Sequence, residues 1–304
     1  MRPICIFGMG SIGGLIGLFL ARAGLSVFGV VRREEQAERL SREGMKVSGL
    51  LEGSYELQAD TRPPPEGCAY SLITTKAYDA PLAIASAAPV SSTLVTFSNG
   101  LLAFERALEV KRATVGGIVE YGVVRRGDNH VEVRGVGRLL LGRARSSTVD
   151  PAPFAEVLRR GGAIVEVVDR IESWLWLKLA ANAIINPITA LVSSENYVVL
   201  EPMLRPLVEC VAEEVRMVAQ ASGVELPEDP VEYTLRIAER TRNNRSSMLQ
   251  DLESGRRTEI EEINGYVVQV ASRLGVEARC NRTLLMLLKA VEYYKASRRR
   301  SGGS

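Results

Sequence analysis

The sequence contains few of the residues that build metal sites and disulfide frameworks. Its 304 residues include a single histidine, His130, and four cysteines that are far apart and have no CxxC spacing. Zinc sites and disulfide-rich scaffolds both depend on clustered ligands or cysteines, so we expect no metal ion and no disulfide. We expect reduced thiols at all four cysteine positions: Cys5, Cys68, Cys210 and Cys280.

A strong excess of one charge is also absent. The formal net charge is +2 and 24% of residues are charged, although 32 arginines stand against 6 lysines. This balance gives no electrostatic reason to expect a nucleic-acid or membrane partner. The single basic run, SRRRSGGS, lies at the C-terminus, and we expect residues 298–304 to be a disordered tail.

Long apolar runs without charge or proline are missing as well. A transmembrane helix needs about 18 or more such residues, so we expect no membrane span. The apolar run behind Arg2 has the hydrophobicity of a signal peptide, but the placement of its glycines has a better explanation as a nucleotide-binding loop. The expected location is the cytoplasm.

The first part of the chain alternates short apolar, β-branched segments with helical or turn-rich ones. The segments are ICIFG (4–8), SVFGVVR (26–32), YSLITTK (70–76), TLVTFSNG (93–100) and VGGIVEYG (115–122). Near-continuous apolarity in short strands predicts a parallel sheet covered on both faces, and hence an α/β domain over residues 1–168. Residues 131–142, VEVRGVGRLLLG, predict a hairpin joined at Gly135 and appended to this sheet.

Helical patterns replace strands after about residue 168. Gly223 and Gly275 follow two of these patterns as expected C-caps, and Thr258 has capping-box spacing to Glu261. We therefore predict an all-helical second domain over residues 169–297.

A glycine-rich hexapeptide follows the first predicted strand and opens a helix-like segment, GLIGLFLARAG. A strand, a tight glycine turn and a helix N-terminus are the parts of a dinucleotide-binding fingerprint, whose glycines let a pyrophosphate approach the backbone. A merely tight turn is the alternative. The predicted cofactor-binding residues of this loop are Gly8, Met9, Gly10, Ser11, Ile12 and Gly13.

Three further residues lie at the carboxyl ends of predicted strands, which face the ligand crevice in open α/β sheets. Arg32 lies 19 residues beyond Gly13, where an NAD-specific protein usually has an acid, so it favours the 2′-phosphate of NADP. Lys76 and Asn99 are candidates for a phosphate or substrate anion and for the nicotinamide ribose. The alternatives are solvated charges at Arg32 and Lys76, and an Asn-Gly turn at Asn99.

Three polar residues interrupt the apolar segment WLWLKLAANAIINP at intervals of four: Lys178, Asn182 and Asn186. On a helix this spacing places them on one face, which must therefore meet something polar. Burial disfavours the ammonium form of a lysine and moves its pKa towards the range of a general acid. A snorkelling lysine and satisfied core asparagines are the alternatives.

A second polar cluster is NNRSSMLQDLESGRRTEIEEINGY, which includes Asn244, Ser247 and Glu259. Spacing alone gives this cluster structural explanations. Ser247 with Gln250 fits a capping box, and Glu259 fits an acid in the first turn of a helix.

The five motifs GMGSIG, TTKAYD, FSNG, WLKLAANAIINPITAL and NNRSSMLQDLESGRRTEIEEING, taken in order, resemble those of the ketopantoate reductase (2-dehydropantoate 2-reductase) family. The resemblance extends to about residue 290. It implies a Rossmann-type domain followed by a helical C-terminal domain of the 6-phosphogluconate dehydrogenase-like type. It further implies a homodimer and an NADPH-dependent reductase of pantothenate and coenzyme A biosynthesis.

The resemblance also implies roles for individual residues. Lys178 matches the family's catalytic lysine, and Glu259 matches its acidic partner, which also lies beside the cofactor. Arg32, Lys76 and Asn99 match cofactor-side positions, although Arg33 could replace Arg32 at the phosphate. The implied substrate-binding residues are Asn99, Asn182, Asn186, Asn196, Asn244 and Ser247. Two other functions remain open: a reductase of another 2-oxo or 3-hydroxy acid, and a non-catalytic NADP-binding sensor.

Overall fold

The computed structural model describes residues 2–301, with side chains described up to residue 295 and at Ser297. The chain divides into two compact units. The first runs to Ser98 and resumes over Leu102–Ile171, and the second comprises Asn99–Leu101 and the chain from Glu172 onwards.

The first unit contains twelve strands and five α-helices in its described part. The strands are β1 (Ile4–Phe7), β2 (Val27–Val30), β3 (Met45–Gly49), β4 (Gly53–Tyr55), β5 (Gln58–Asp60), β6 (Cys68–Ile73), β7 (Ser91–Thr96), β8 (Thr114–Val119), β9 (Gly122–Arg125), β10 (His130–Gly135), β11 (Leu139–Arg143) and β12 (Val165–Val168). The helices are α1 (Ser11–Arg22), α2 (Glu34–Glu43), α3 (Ala80–Ala87), α4 (Leu102–Val110) and α5 (Ala152–Arg160), with 3₁₀ helices at Ala77–Asp79 and Ala88–Val90.

The main sheet has eight strands in the order β12-β11-β8-β7-β6-β1-β2-β5. Six neighbouring strands are parallel to one another: β5, β2, β1, β6, β7 and β8. Strand β11 runs antiparallel to β8 and pairs with β12 in parallel. Along the six parallel strands the chain order is 3-2-1-4-5-6, the order of the Rossmann fold. The predicted α/β class is confirmed, and the ligand crevice of such a sheet lies beyond the carboxyl ends of the strands around β1.

A second sheet, β4-β3-β10-β9, packs on the other side of α1. The predicted hairpin over residues 131–142 is therefore wrong, because β10 lies in this second sheet and β11 in the main one. The chain crosses between them at Gly137, where a Cβ would lie 2.2 Å from the carbonyl oxygen of Glu120. The apolar pattern of two strands is the same whether they share a sheet or not. Strands β3, β4 and β5, and all of β9 except Gly122, had no counterpart among the predicted segments.

Gly17 of α1 lies against Tyr55 of the second sheet. A Cβ at Gly17 would lie 2.1 Å from Tyr55 Oη, and this hydroxyl donates to the carbonyl oxygen of Gly14 at 3.1 Å. Alanine is favoured over glycine by about 1 kcal/mol in a helix interior. Here we expect Gly17→Ala to lower the free energy of unfolding by about 1–3 kcal/mol instead, because the ring must move.

Urea denaturation checks this prediction. In a Tyr55→Leu background the hydroxyl is gone, so Gly17→Ala should be neutral or stabilising there. A stabilising Gly17→Ala in the otherwise unchanged protein would contradict the argument.

All four cysteines are paired, so the expectation of reduced thiols is wrong. Cys5 and Cys68 are joined at a Cα–Cα distance of 5.8 Å, and Cys210 and Cys280 at 6.2 Å. The pairs are separated by 63 and 70 residues in sequence. Cys5 lies on β1 and Cys68 on β6, which are neighbours in the sheet. Only strand pairing brings them together, so no local spacing could indicate the bond.

The second unit is helical throughout its described part, which confirms the predicted class. Its helices are α6 (Ile171–Val192), α7 (Arg205–Ala221), α8 (Pro230–Arg240), α9 (Ser247–Glu253), α10 (Tyr266–Leu274) and α11 (Arg279–Ser301), with 3₁₀ helices at Asn196–Leu200 and Pro202–Leu204 and a π-helix at Glu261–Gly265. By length and composition α6 could span a membrane, but 78% of its apolar window is buried inside the protein. It therefore has the burial of a core helix.

The helix ends agree only in part with the sequence patterns. Gly275 is a left-handed C-cap with φ 70°, as predicted, whereas the C-cap of α7 is Ser222 and Gly223, with φ 76°, follows it. The two predicted capping boxes are wrong: Ser246 caps α9 by accepting from the Leu249 amide at 3.1 Å, and the Glu261 side chain pairs with Lys289. Helix α11 continues to Ser301 through part of the expected tail, and residues 302–304 lie outside the described residues.

Candidate active site

In the first unit the glycine-rich loop packs closely against the residues that follow β6. Gly8 has φ 104°, and a Cβ there would lie 2.9 Å from the Thr75 amide nitrogen. A Cβ at Gly13 would lie 2.3 Å from the Gly8 carbonyl oxygen. Thr74 Oγ1 donates to that same oxygen at 2.8 Å. These two glycines are thus required by the protein's own packing.

No contact inside the protein requires glycine at position 10. A Cβ there would meet no protein atom within 4 Å, and its φ of −97° is open to any residue. It is the N-cap of α1, and no side chain caps the amides of the first turn, which begins Ser11-Ile12-Gly13. A glycine beside open space and free helix N–H groups fits the close approach of a phosphate. Thr75 Oγ1, buried and without a hydrogen-bond partner, lies beside this loop.

Met9, between the two glycines, is buried and points away from that open space. Its side chain is 2% exposed, and its carbonyl oxygen accepts a hydrogen bond from Gln36 Nε2 at 3.2 Å. Gln36 Nε2 also donates to the Asp128 carbonyl oxygen at 3.0 Å. This contact ties the loop to the β9–β10 connection of the second sheet.

The two neighbouring arginines after β2 have different partners. Arg32 Nη1 lies 3.1 Å from Asp79 Oδ1, and its side chain is 81% exposed. Arg33 pairs with Asp128, which Arg125 Nη2 also contacts at 2.6 Å. Arg33 is therefore held in a three-residue cluster, whereas the Arg32 guanidinium projects into solvent. Lys76, half-buried, is the N-cap of the 3₁₀ helix that follows β6.

In the second unit Asn99 and Glu259 meet, although 160 residues separate them. Asn99 Nδ2 donates to Glu259 Oε2 at 3.0 Å, and the Glu259 side chain is only 3% exposed. The segment Asn99–Leu101 belongs to this unit, and Gly100 has φ 79°; a Cβ there would lie 3.0 Å from the Glu262 carbonyl oxygen. Asn99 is thus more than an Asn-Gly turn residue, since its amide orients a buried carboxylate.

Helix α6 carries the polar stripe. Lys178 and Asn182 are half-buried, and Asn186 is buried with 6% exposure. One turn further on, Thr189 Oγ1 donates to Ser246 Oγ at 2.7 Å. The end of the stripe therefore lies beside the start of α9, where Ser247 is exposed.

Proline at position 187 does not end α6, because a side chain replaces the missing helix donor. Pro187 has no N–H, which leaves the carbonyl of Ala183, four residues earlier, without its helical partner. Asn264 Nδ2 donates to that carbonyl oxygen at 3.0 Å. It also donates to Asn281 Oδ1 at 3.0 Å, and Asn281 Nδ2 donates to Glu214 Oε2 at 2.8 Å. This buried chain of polar groups fixes the middle of α6 to the π-helix that begins two residues after Glu259.

Asn196 and Asn244 are also brought together. The backbone N–H of Asn196 donates to the backbone carbonyl oxygen of Asn244 at 2.9 Å, and Asn196 Nδ2 donates to Thr241 Oγ1 at 2.9 Å. Asn196 Oδ1 is buried without a hydrogen-bond partner, whereas Asn244 is exposed. Thr189 and Asn264 were missed from the sequence, and Ser246 had been noted only as a member of the second polar cluster. A proline inside an apolar helix pattern was the one available signal, because it requires an outside donor for a carbonyl.

Two adjacent glutamates of the π-helix have pKa shifts of opposite sign. Burial raises the pKa of the Glu262 carboxyl, against the attraction of Arg257, whose Nη2 lies 2.7 Å from Oε1. A hydrogen bond from Lys289, at 2.5 Å, lowers the pKa of Glu261 below its ordinary value. The folded protein is therefore destabilised by the Glu262 carboxyl when the pH is high enough to ionise it. The Glu261 carboxylate instead stabilises the folded protein at pH values above the pKa that this group has in the unfolded chain.

We expect Glu262→Gln to raise Tm at pH 7–8 and to have little effect near pH 3, where the carboxyl is protonated in both states. Glu261→Gln should lower Tm slightly at pH 7, and its effect should vanish as the pH falls through the lowered pKa. Thermal unfolding between pH 3 and pH 8 measures both variants. The same pH trend in the two neighbours would contradict this assignment.

Both halves of the chain match family models. Residues 4–146 match the model described as ketopantoate reductase PanE/ApbA, and residues 170–292 match its C-terminal model. The chain belongs to the ketopantoate reductase family. A 2-dehydropantoate 2-reductase from Archaeoglobus fulgidus is 38% identical over 295 residues, which cover 96% of this chain and 98% of the relative.

Solved structures of ketopantoate reductases have the same fold. A PanE/ApbA family ketopantoate reductase from Ralstonia eutropha JMP134 superposes with a TM-score of 0.87 at 26% identity, covering 97% of this chain and 99% of that one. A D-mandelate dehydrogenase with NADH and anilino(oxo)acetate has the same TM-score, 0.87, at 19% identity, covering 96% and 99%. The family consists of NAD(P)-dependent oxidoreductases. Fold likeness alone therefore decides neither the substrate nor the preferred cofactor.

Proposed function

We propose that this protein reduces 2-dehydropantoate (ketopantoate) to pantoate with NADPH, as a step of pantothenate and coenzyme A biosynthesis. The observation that carries the proposal is the buried Glu259 carboxylate, held by Asn99 at 3.0 Å in a chain that also has Lys178 on α6. The names of its ketopantoate reductase relatives support the same substrate.

The first unit fits a dinucleotide. The open space at Gly10 and the first amides of α1 would take the pyrophosphate, with Gly8, Met9, Ser11, Ile12 and Gly13 shaping the loop. Arg32, exposed at the end of β2, would meet the 2′-phosphate in preference to Arg33, which is paired with Asp128. By the family resemblance, Lys76, Asn99 and Glu259 would be further cofactor-binding residues.

The second unit would supply the acid–base chemistry. A bound nicotinamide supplies the hydride that goes to the 2-oxo carbon. Lys178 would polarise the carbonyl and give its proton to the oxygen. Glu259 would orient Lys178 or hold the 4-hydroxyl. The remaining pocket positions would bind the carboxylate and shape the site: Asn182, Asn186, Asn196, Asn244 and Ser247.

We further propose residues 1–168 as the NADP-binding domain and residues 169–297 as the substrate and dimerisation domain of a cytoplasmic homodimer. Its partners would then be small molecules and a second copy of the chain, with no nucleic acid and no membrane. The disulfides are compatible with a cytoplasm, because intracellular proteins of hyperthermophilic archaea are rich in them.

A steady-state assay tests the function. Ketopantoate should be reduced faster with NADPH than with NADH, and faster than the other members of a 2-oxo acid panel. Preference for another oxo acid would favour a different reductase of this fold, of which D-mandelate dehydrogenase is an example. No oxidation of NADPH with any oxo acid would favour a non-catalytic sensor.

A further inference from the structure

The ion pair between Arg32 and Asp79 crosses the mouth of the nucleotide crevice. Arg32 follows β2, and Asp79 ends the 3₁₀ helix that follows β6. In the sheet, β1 lies between these two strands, and the glycine-rich loop starts at its end. The bond from Arg32 Nη1 to Asp79 Oδ1, at 3.1 Å, therefore passes over the place where the loop would hold a dinucleotide.

We propose that Asp79 is a specificity-determining residue, which competes with the 2′-phosphate of NADP for Arg32 and so weakens the preference for NADP over NAD. This inference rests on the proposed cofactor site. In the described structure the Asp79 side chain makes no other hydrogen bond: Asp79 is the N-cap residue of α3, but its side chain accepts no capping hydrogen bond from the first turn. Its side chain is 22% exposed, so it can reach a ligand at the crevice.

Two effects of Asp79 on NADP binding oppose each other. By holding Arg32 it pre-orients the guanidinium, but an exposed ion pair changes an equilibrium constant by no more than a few-fold. By its own charge it repels the phosphate. A dianion about 6 Å from a carboxylate is bound about tenfold more weakly, even at the dielectric constant of water. Repulsion is therefore the larger effect.

Asp79 acts differently towards NAD. Proteins specific for NAD usually place a carboxylate at the end of the second strand, where it accepts hydrogen bonds from the ribose hydroxyls. This chain has Arg32 at that position, but the carboxylate of Asp79, which follows β6, lies beside the Arg32 guanidinium. The ribose of NAD can thus find an acceptor, whereas the 2′-phosphate meets a like charge.

Calorimetric titration of the full chain with NADP⁺ and with NAD⁺ tests the inference without any turnover. For Asp79→Asn we expect a Kd for NADP⁺ about tenfold lower and a Kd for NAD⁺ unchanged or a few-fold higher. The gain should shrink at high salt, because salt screens exposed charges. Arg32→Gln should raise the Kd for NADP⁺ alone. Glu109→Gln is the matched control, since it removes the partner of another exposed arginine, Arg106, at 2.7 Å.

An unchanged or higher Kd for NADP⁺ in Asp79→Asn would overturn the role of Asp79 while leaving the cofactor proposal intact. Failure of the unaltered protein to bind either dinucleotide would overturn both. If Asp79→Asn and Glu109→Gln gave equal gains, the cause would be general surface charge, and the inference would also fall.

Discussion

Replacing Lys178 by alanine is expected to lower kcat for ketopantoate reduction by about 10²-fold or more, with a smaller change in KM. The proposed role of Lys178 is to hand a proton to the carbonyl oxygen as negative charge develops there. Alanine removes the proton and the positive charge together. Single-turnover kinetics with saturating NADPH would measure the chemical step directly.

Two further variants make this test specific. Lys178→Arg keeps the charge but cannot readily give up a proton, so it should remain strongly impaired. Lys295→Ala removes an exposed lysine from α11 and should leave kcat unchanged. Near-normal turnover in Lys178→Ala would remove this residue from the mechanism, whatever the stability of the variant.

Removal of the second disulfide by Cys210→Ser with Cys280→Ser is expected to lower the free energy of unfolding by about 4 kcal/mol. The bond closes a loop between residues 70 positions apart, and in the chain-entropy model its absence lets the unfolded chain gain that freedom. It also joins α7 to the start of α11, where Glu214 accepts from the Cys280 amide at 2.7 Å. Urea denaturation of the oxidised proteins measures the loss.

The two disulfides should differ in their response to a reductant. Cys5 and Cys68 are 0% exposed, whereas Cys210 and Cys280 are half-buried. Dithiothreitol followed by alkylation of the folded protein should therefore label Cys210 and Cys280 first, as mass spectrometry of peptides would show. Equal labelling of both pairs, or a double variant as stable as the unaltered protein, would contradict this prediction.

Local patterns predicted the elements on which the candidate sites are built. The strand, glycine loop and helix at the N-terminus needed only short-range information, because the turn and the following helix are specified by adjacent residues. The interval of four between Lys178, Asn182 and Asn186 likewise placed them on one helix face before any packing was known. The roles of those side chains remain predictions, which the variants above address.

The local patterns could not predict which distant segments of the chain pair with one another. Residues 131–142 have the apolar alternation of a hairpin, yet β10 and β11 lie in different sheets. Residues far apart in sequence meet only after strands and helices have assembled, as Asp79 does with Arg32 and Asn264 with the carbonyl of Ala183. Proline at position 187 removes one helix donor, but only the tertiary structure identified Asn264 as the group that replaces it.

The sequence by itself determined the α/β and helical parts, the nucleotide-type loop and the family, because each depends on residue types at short, ordered spacings. The tertiary structure decided the two disulfides, the second sheet, the partner of the buried Glu259 and the ion pair over the crevice. Each of these joins segments tens to more than a hundred residues apart. Their contact depends on strand order and helix packing, which no local spacing encodes.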